Sequence, residues 1–152
     1  MLAVEPVRGG DLSKVAGLAG AELTERYPLE WWAEQASRTA KAGGGKGAFY
    51  VARDVEHDNI VGFAVSDNEA CEAHLLAIAV QDEYRGRGIG SALLRHVGHD
   101  VACSGAMKFS LDVRVDDEKA QAFYRRHGFA PEGFKERCYS DGADAVRLAR
   151  PL

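Results

Sequence analysis

The chain has 152 residues, and its 19 basic and 23 acidic side chains give a formal net charge of −4 at pH 7. This length predicts one domain, residues 1–152, that can bury a core without disulfides or metals. The acidic balance argues against a nucleic-acid partner, and the lack of a long apolar run or a basic leader argues against a membrane span or secretory signal. We therefore expect a cytoplasmic protein that binds neither nucleic acid nor a membrane.

The first third of the chain predicts a strand and two helices. Residues Leu2 to Val7 alternate as in a strand, and Asp11 can cap the helix that follows. After Pro28, a second helix is predicted from Leu29 to about Ala42. The glycines from Gly43 to Gly47 are predicted to form a linker, because they lack the Lys-Ser/Thr ending of a phosphate-binding loop.

The rest of the chain predicts a hairpin and then alternating strands and helices. The predicted strands are Gly47–Arg53, Ile60–Ser66, Cys71–Val80, Lys108–Val115, Phe129–Tyr139 and Ala143–Arg150, and the predicted helices run from Gly88 to about Cys103 and from Asp116 and Asp117 to His127. The order is therefore β-α-α-β-β-β-α-β-α-β-β. The sequence contains no internal repeat or low-complexity segment.

A glycine-rich turn joins the third of these strands to the next helix. It contains Arg85, Gly86, Arg87, Gly88 and Gly90. A helix N-terminus offers unpaired N–H groups and the positive end of the macrodipole, so a pyrophosphate is its natural ligand. The glycine spacing fits a dinucleotide-binding fingerprint poorly, and an ordinary strand-to-helix connection is the alternative.

Two motifs resemble the GNAT superfamily of acyl-CoA-dependent N-acyltransferases. Arg85, Gly88 and Gly90 match its Gln/Arg-x-x-Gly-x-Gly/Ala signature, and residues 117–129 are similar to its Asn-x-x-Ala-x-x-Leu/Phe-Tyr-x-x-x-Gly-Phe segment, with Asp117 in place of the usual Asn. The resemblance implies an α/β (α+β) fold: a mixed, mostly antiparallel sheet of six to seven strands flanked by about four helices. It also implies an acetyl-CoA-dependent N-acetyltransferase without a metal.

A narrower resemblance concerns the acceptor. Leu111-Asp112-Val113-Arg114 resembles the Leu-Glu-Val-Arg of ribosomal-protein N-terminal acetyltransferases, and Arg137-Cys138-Tyr139 with Asp144-Ala145 is similar to their C-terminal ending. The implied acceptor is a primary amine, such as a peptide N-terminus. A small-molecule amine is the alternative acceptor, and a non-catalytic acyl-CoA-binding module is the alternative function.

The resemblance also implies which residues hold the cofactor. The strand that ends at Val80 is expected to splay from its neighbour, so that N–H groups near Ile78 and Val80 bind pantetheine and polarise the thioester. The cofactor-binding residues implied are Ile78, Ala79, Val80, Arg85, Gly86, Arg87, Gly88, Ile89, Gly90, Ser91, Asp117, Ala120, Phe123 and Tyr124.

Catalysis needs an acid for the departing thiolate and a route for the amine proton. Tyr124 occupies the position that resembles the family's general acid, although the spacing of Tyr124 and its neighbours also fits a core stripe. Asp112 and His74 are candidate bases, and Glu72 could act through water. Asp112 could instead form an ion pair with an arginine of a neighbouring strand. Simple alternation places His74 on the same strand face as Leu76, Ile78 and Val80.

The remaining candidates are aromatic, histidine and cysteine residues. Trp31 and Trp32 fall in a helix that the resemblance places near the acceptor site, so both could pack or one could line a pocket. His96 and His99 lack a third ligand, so no metal site is predicted. The cysteines, which are predicted to be reduced and mostly buried, are Cys71, Cys103 and Cys138. We expect a monomer or a homodimer.

Overall fold

A computed structural model gives the fold and describes residues 1–23, 25–39 and 46–152. The predicted order of strands and helices is confirmed, with short 3-10 turns before α1 and before α3. The elements are β1 (Leu2–Pro6), α1 (Leu12–Glu22), α2 (Leu29–Thr39), β2 (Gly47–Asp54), β3 (Asn59–Glu69), β4 (Glu72–Val80), α3 (Ile89–Cys103), β5 (Lys108–Arg114), α4 (Glu118–Arg126), β6 (Ala130–Lys135) and β7 (Ala145–Pro151).

The strands form one mixed sheet in the spatial order β1-β2-β3-β4-β5-β7-β6. Neighbouring strands pair antiparallel, except for β4 and β5, which pair in parallel. A parallel pair requires a crossover, and α3 supplies it. The parallel pair is therefore the place where the antiparallel pattern of the sheet is interrupted.

Hydrophobic residues fill both faces of the sheet, so that two separate cores form. Under α1 and α2, Trp32 packs against Phe49 and Phe63 of the sheet. Under α3 and α4, Leu93 and Phe109 belong to the second core. The sheet is thus covered by helices on both sides, as its apolar strands require.

Element boundaries differ from the sequence predictions where the backbone turns. The sixth strand ends at Lys135 instead of Tyr139, because Arg137 has a left-handed φ of 49° that no strand accommodates. The second strand of the predicted hairpin, β3, continues to Glu69 beyond the predicted Ser66. The predicted end of the second helix at Ala42 and the linker glycines Gly43 to Gly45 lie outside the described residues.

The cysteines are free, but the prediction that they are mostly buried is wrong. Cys71 and Cys103 are exposed, and Cys138 is half-buried. Cys71 lies in the β3–β4 turn and Cys103 is the last residue of α3, so their side chains reach solvent. None of the described helices has the length and apolar character needed to cross a bilayer.

Candidate active site

The central feature of the site is the point where β4 and β5 separate. Their backbones pair only from Glu72 and Lys108 to Leu75 and Leu111. Beyond that pair, β4 continues to Val80 beside β3, while β5 continues beside β7. A cleft of about 720 Å³ opens between the diverging strands. The predicted splay of β4 is therefore present.

The free edge of β4 presents backbone N–H groups to this cleft. The N–H of Gln81 donates to the carbonyl of Val61 in β3 at 2.7 Å. Because successive N–H groups of a strand point to opposite edges, those of Val80 and Ile78 point away from β3 and into the cleft. These are the two groups that the sequence analysis assigned to the thioester and the pantetheine.

The N-terminus of α3 forms the second wall of the cleft. Gly86 and Gly88 have φ values of 77° and 81°, which L side chains rarely adopt, and Gly88 is the N-cap of α3. The N–H groups of Ile89, Gly90 and Ser91 precede the first hydrogen bond of the helix, which Ala92 donates to the Gly88 carbonyl. The turn can therefore present three backbone donors to an anion.

The two arginines of the turn occupy different places. Arg85 lines the cleft, where its guanidinium contacts the Glu22 carboxylate of α1 and its Nε donates to the carbonyl of Val80 at 3.2 Å. Arg87, by contrast, does not line the cleft. Its guanidinium lies over the Tyr84 ring at 5.0 Å from the centroid. The structure therefore does not bring Arg87 to the predicted cofactor site.

Helix α4 forms the third wall and carries Asp117, Ala120, Phe123 and Tyr124 to the cleft. Asp117 Oδ1 accepts the N–H of Ala120 at 3.0 Å, so the carboxylate caps the helix in place of the family's usual Asn. A Cβ added to Gly90 would lie 3.4 Å from Phe123 Cζ. The Phe123 ring of α4 therefore packs directly against the backbone of Gly90 at the start of α3.

Tyr124 is both a core residue and a residue of the cleft, which were the two interpretations of its spacing. Its ring is buried in the core, and it also lines the cleft. Its hydroxyl makes no hydrogen bond to the described residues. Burial raises the pKa of Tyr124, with smaller contributions from Tyr139 and Asp117. The phenol is therefore a neutral proton donor throughout the physiological range.

Asp112 forms the ion pair that was the alternative to a base. It is the cross-strand partner of Arg147 in β7, whose Nε and Nη2 lie 3.0 and 3.1 Å from its carboxylate oxygens. His74 Nε2 lies 3.7 Å from Asp112 Oδ2. The His74 ring and then the Arg147 guanidinium lower the pKa of Asp112, although burial opposes them. Asp112 lines the cleft as a carboxylate that resists protonation.

His74 and Glu72 do not line the cleft. His74 Nδ1 lies 2.8 Å from Ser110 Oγ, and Glu72 lies beside Lys108. The expectation that His74 shares a face with Ile78 and Val80 is wrong, because a β-bulge at Leu76 shifts the register of β4. Beyond the bulge, Ile78 and Val80 pack in the α3/α4 core, whereas Leu76 packs on the α1/α2 side.

The cleft passes through the sheet, and on the α1/α2 side it is lined by residues that were not predicted to belong to a site. Tyr27 stacks on Trp31 with ring centroids 4.2 Å apart, so Tyr27 lines the cleft while both tryptophans pack. Glu25 Oε1 accepts the N–H of Ser140, at 2.5 Å, from the β6–β7 loop. The lining residues on this side that were not predicted are Glu22, Leu23, Glu25 and Tyr27. Tyr139, which belongs to the C-terminal ending that implied a peptide acceptor, lines the same side. Pro28 indicated a break between α1 and α2, but no sequence pattern predicted where the side chains of that loop point.

Away from the cleft, Asp54, Glu56 and His57 place potential metal-ligand atoms close together at the β2–β3 turn. Asp54 Oδ2 accepts hydrogen bonds from Tyr84 and His57 there, at 2.9 and 2.8 Å. His96 and His99 contact Ala92 and Cys103 of their own helix. The absence of a metal site stays a prediction.

Comparisons with known proteins agree with this geometry. Residues 45–131 match the acetyltransferase (GNAT) domain. This match covers more than half of the chain, which therefore belongs to the GNAT family. The structure resembles that of Ard1 from Thermoplasma volcanium, with a TM-score of 0.89, 25% identity and coverage of 99% of this chain and 97% of that one.

Curated relatives include N-terminal acetyltransferases. The chain is 27% identical to an N-alpha-acetyltransferase of Saccharolobus solfataricus over 95% of this chain and 90% of that protein. It is 31% identical to the [ribosomal protein bS18]-alanine N-acetyltransferase of Escherichia coli strain K12 over 64% and 68%. Matches to proteins of Mycobacterium leprae and Bacillus subtilis span only 26% and 50% of those relatives.

Proposed function

We propose that this protein transfers the acetyl group of acetyl-CoA to a primary amine, and that the amine is the N-terminus of a peptide. The observation that carries the proposal is the cleft through the sheet, where the unpaired edge of β4 meets the N-terminus of α3. One face of the sheet then serves the cofactor and the other serves the acceptor. Relatives named N-alpha-acetyltransferase support the choice of acceptor.

The donor half of the cleft fits a molecule with a pyrophosphate at one end and amides along its length. The N–H groups of Ile89, Gly90 and Ser91 would bind the pyrophosphate at the start of α3. The free edge of β4 would pair with the amides of pantetheine, as an extended peptide pairs with a sheet edge. In this alignment the thioester would lie beside Tyr124, where the two strands have separated.

The chemistry is a direct attack of the neutral amine nitrogen on the thioester carbon. A backbone N–H of β4, pointing into the cleft, would stabilise the negative oxygen of the tetrahedral intermediate. When the C–S bond breaks, the hydroxyl of Tyr124 donates its proton to the CoA thiolate. The nitrogen loses its extra proton to water, the Tyr124 phenolate regains a proton from water, and the products are an amide and CoA.

No strong base is needed for an α-amine. Its pKa of about 7.7–8.0 leaves a usable neutral fraction at pH 7 to 8, whereas a lysine amine near 10.4 would be almost wholly charged. The base roles of Asp112 and His74 stay predictions, and the low pKa of Asp112 suits a different task. A carboxylate that stays charged can attract and orient the acceptor's ammonium group before its proton leaves.

The acceptor side suits an extended chain that enters between two loops. Tyr27 and Glu25 come from the α1–α2 loop, and Tyr139 comes from the β6–β7 loop. The contact of Glu25 with Ser140 joins these loops beside the opening. Aromatic walls can hold the first side chains of a peptide, while the carboxylates attract its terminal ammonium group.

The test is an assay of a panel of acceptors with acetyl-CoA, in which the release of free CoA is measured. Each peptide is supplied with a free N-terminus and, as its matched control, with a blocked N-terminus and a free lysine. We expect acetylation of at least one free N-terminus and none of its blocked counterpart. Preferential acetylation of polyamines, aminoglycosides or amino acids would instead identify a small-molecule acetyltransferase. Binding of acetyl-CoA without CoA release for any amine would identify a non-catalytic module.

A further inference from the structure

His127, for which the proposed chemistry has no role, lies directly behind the pyrophosphate-binding turn. It is the C-cap residue of α4, and its Nε2 lies 2.9 Å from Ser91 Oγ. Ser91 is the third residue of α3 and lines the cleft. Among the three residues whose backbone N–H groups are free at this helix start, Ser91 alone also carries a side-chain hydroxyl.

His127 is held from two elements, its ring by Phe123 of α4 and its backbone carbonyl by Arg150 of β7. The centroid of its ring lies 4.9 Å from that of Phe123, one turn earlier in α4. Arg150 Nη1 of β7 donates to the backbone carbonyl of His127 at 2.9 Å, and the backbone N–H of His127 donates to the Tyr124 carbonyl. The imidazole therefore meets Ser91 from a fixed direction.

The surroundings of His127 favour its neutral form. Burial lowers the pKa of His127, and Arg95 of α3, Arg126 of α4 and Arg150 of β7 lower it further. A neutral imidazole carries one N–H, which can reside on Nε2 or Nδ1. Nε2 can accordingly either donate to Ser91 Oγ or accept from it while the cofactor is absent.

A bound pyrophosphate removes this ambiguity, because its oxygens only accept hydrogen bonds. Ser91 must then donate its proton to the phosphate, and its Oγ is left to accept one from Nε2–H. We propose that His127 is a positioning residue for the cofactor, which holds the Ser91 hydroxyl with its proton directed at the pyrophosphate. The proposal rests on the proposed function, since acetyl-CoA supplies the pyrophosphate. The two bonds in series polarise each other and strengthen the contact.

The test compares His127→Leu, His127→Gln, Ser91→Ala and the double variant Ser91→Ala/His127→Leu. Either His127→Leu or Ser91→Ala should raise the Kd for CoA, measured by calorimetry, about tenfold. This is the usual cost of losing a hydrogen bond to a charged group. The double variant should lose no more than either single one, because both break the same chain of hydrogen bonds. The amide of Gln can replace Nε2–H, so His127→Gln should recover most of the affinity.

A truncated donor separates positioning from structural damage. S-acetylpantetheine lacks the pyrophosphate, so His127→Leu should raise KM for acetyl-CoA about tenfold, as expected for a charged hydrogen bond, but leave KM for S-acetylpantetheine within about twofold. His96→Leu removes a histidine from the exposed side of α3 and should match the wild type with both donors.

The possible results separate the two proposals. Equal losses of His127→Leu with both donors, additive losses in the double variant, or wild-type CoA affinity in His127→Leu would each overturn the role of His127. If the wild-type protein fails to bind CoA, the proposed function fails and this inference fails with it. If the wild type binds CoA and only the variants behave otherwise than expected, the proposed function stands and the inference alone fails.

Discussion

Tyr124 belongs to the core and also lines the cleft, so one side chain combines packing with the proposed role as an acid. Its ring packs among buried residues, and the residue also lines the cleft. Its hydroxyl makes no hydrogen bond to the described part of the chain. Burial raises its pKa, so its proton is retained until it is transferred. Because a phenol (pKa about 10) is a weaker acid than a thiol (about 8.5), the proposed proton transfer is coupled to the breaking of the C–S bond, and the phenolate then regains a proton from water.

Replacement of Tyr124 by Phe should lower kcat about 100-fold, because a general acid contributes roughly 10²–10⁴-fold. The ring remains in place, so KM for acetyl-CoA and the melting temperature should change little. Single-turnover acetyl transfer measures the effect directly. Tyr50→Phe is the control, since Tyr50 donates to Asp100 away from the cleft. An unchanged rate of acetyl transfer in Tyr124→Phe would remove this residue from the mechanism.

Asp112 yields a prediction about pH. Its pKa is lower in the folded protein than in the unfolded chain, so its charge stabilises the fold above pH of about 4 and progressively less as the pH falls below that value. Asp112→Asn should therefore reduce the free energy of unfolding by about 1–3 kcal/mol at pH 7, the usual range for hydrogen bonds of charged groups.

Urea denaturation at several pH values checks this effect. The difference between wild type and Asp112→Asn should narrow as the pH falls from about 4 to 3. Asp58→Asn, at an exposed carboxylate, should show little difference at any pH. A difference that stays constant down to pH 3 would contradict the ion pair as the source of the lowered pKa.

At the scale of elements, the turn before α3 depends on its glycines. Gly88 is the N-cap of the helix with φ 81°, where any L side chain is strained, although no atom lies within 4 Å of an added Cβ. The cost of a substitution there therefore comes from the backbone and not from a clash. Gly17, by contrast, lies inside α1 with open space around it.

These two glycines give a matched pair of alanine substitutions. Gly88→Ala should destabilise the protein by about 1–2 kcal/mol, the cost of a left-handed residue, and should weaken CoA binding as the turn deforms. Gly17→Ala should stabilise it by up to about 1 kcal/mol, because alanine favours a helix interior, and should leave CoA binding unchanged. Thermal unfolding measures the change in stability, and calorimetry measures the change in CoA binding. Equal effects of the two substitutions would refute the assignment of the Gly88 turn to CoA binding.

The sequence predicted the order of elements well, because alternation and helical spacing depend on burial alone. It failed at Leu76, where one extra residue of β4 reverses the faces of the strand on either side. His74 consequently lies on the side of Asp112, away from Ile78. Alternation assumes an uninterrupted register, so a bulge that depends on the opposite strand leaves no local pattern.

The acceptor side was the least predictable part for a related reason. Tyr27 lines the cleft because it stacks on Trp31, and Glu25 is fixed by a backbone group of the distant Ser140. Contacts of this range arise only once the loops meet in three dimensions. The cofactor side, in contrast, is built from glycines and helix starts that are contiguous in sequence. Its motifs could therefore be recognised from the sequence alone.

For the whole molecule, the ligand is expected to act on stability. A cofactor that binds both β4 and α3 of the folded state stabilises it by about 2.7 kcal/mol at 100 times its Kd. For a chain of this size, the melting temperature should rise by about 5–10 °C. NAD at the same concentration is the control, because the glycine spacing fits a dinucleotide poorly. An equal shift with NAD would contradict the assignment of the cleft to acyl-CoA.

The separation of β4 and β5 has a further consequence for the molecule. A sheet of seven strands normally has two edges, but this one has two more inside it, where unpaired backbone groups face the gap. Such edges are open to the wrong partners, including strands of unfolded chains. The cofactor would take the place of a missing strand, and so protect the protein from aggregation as well as supply its substrate.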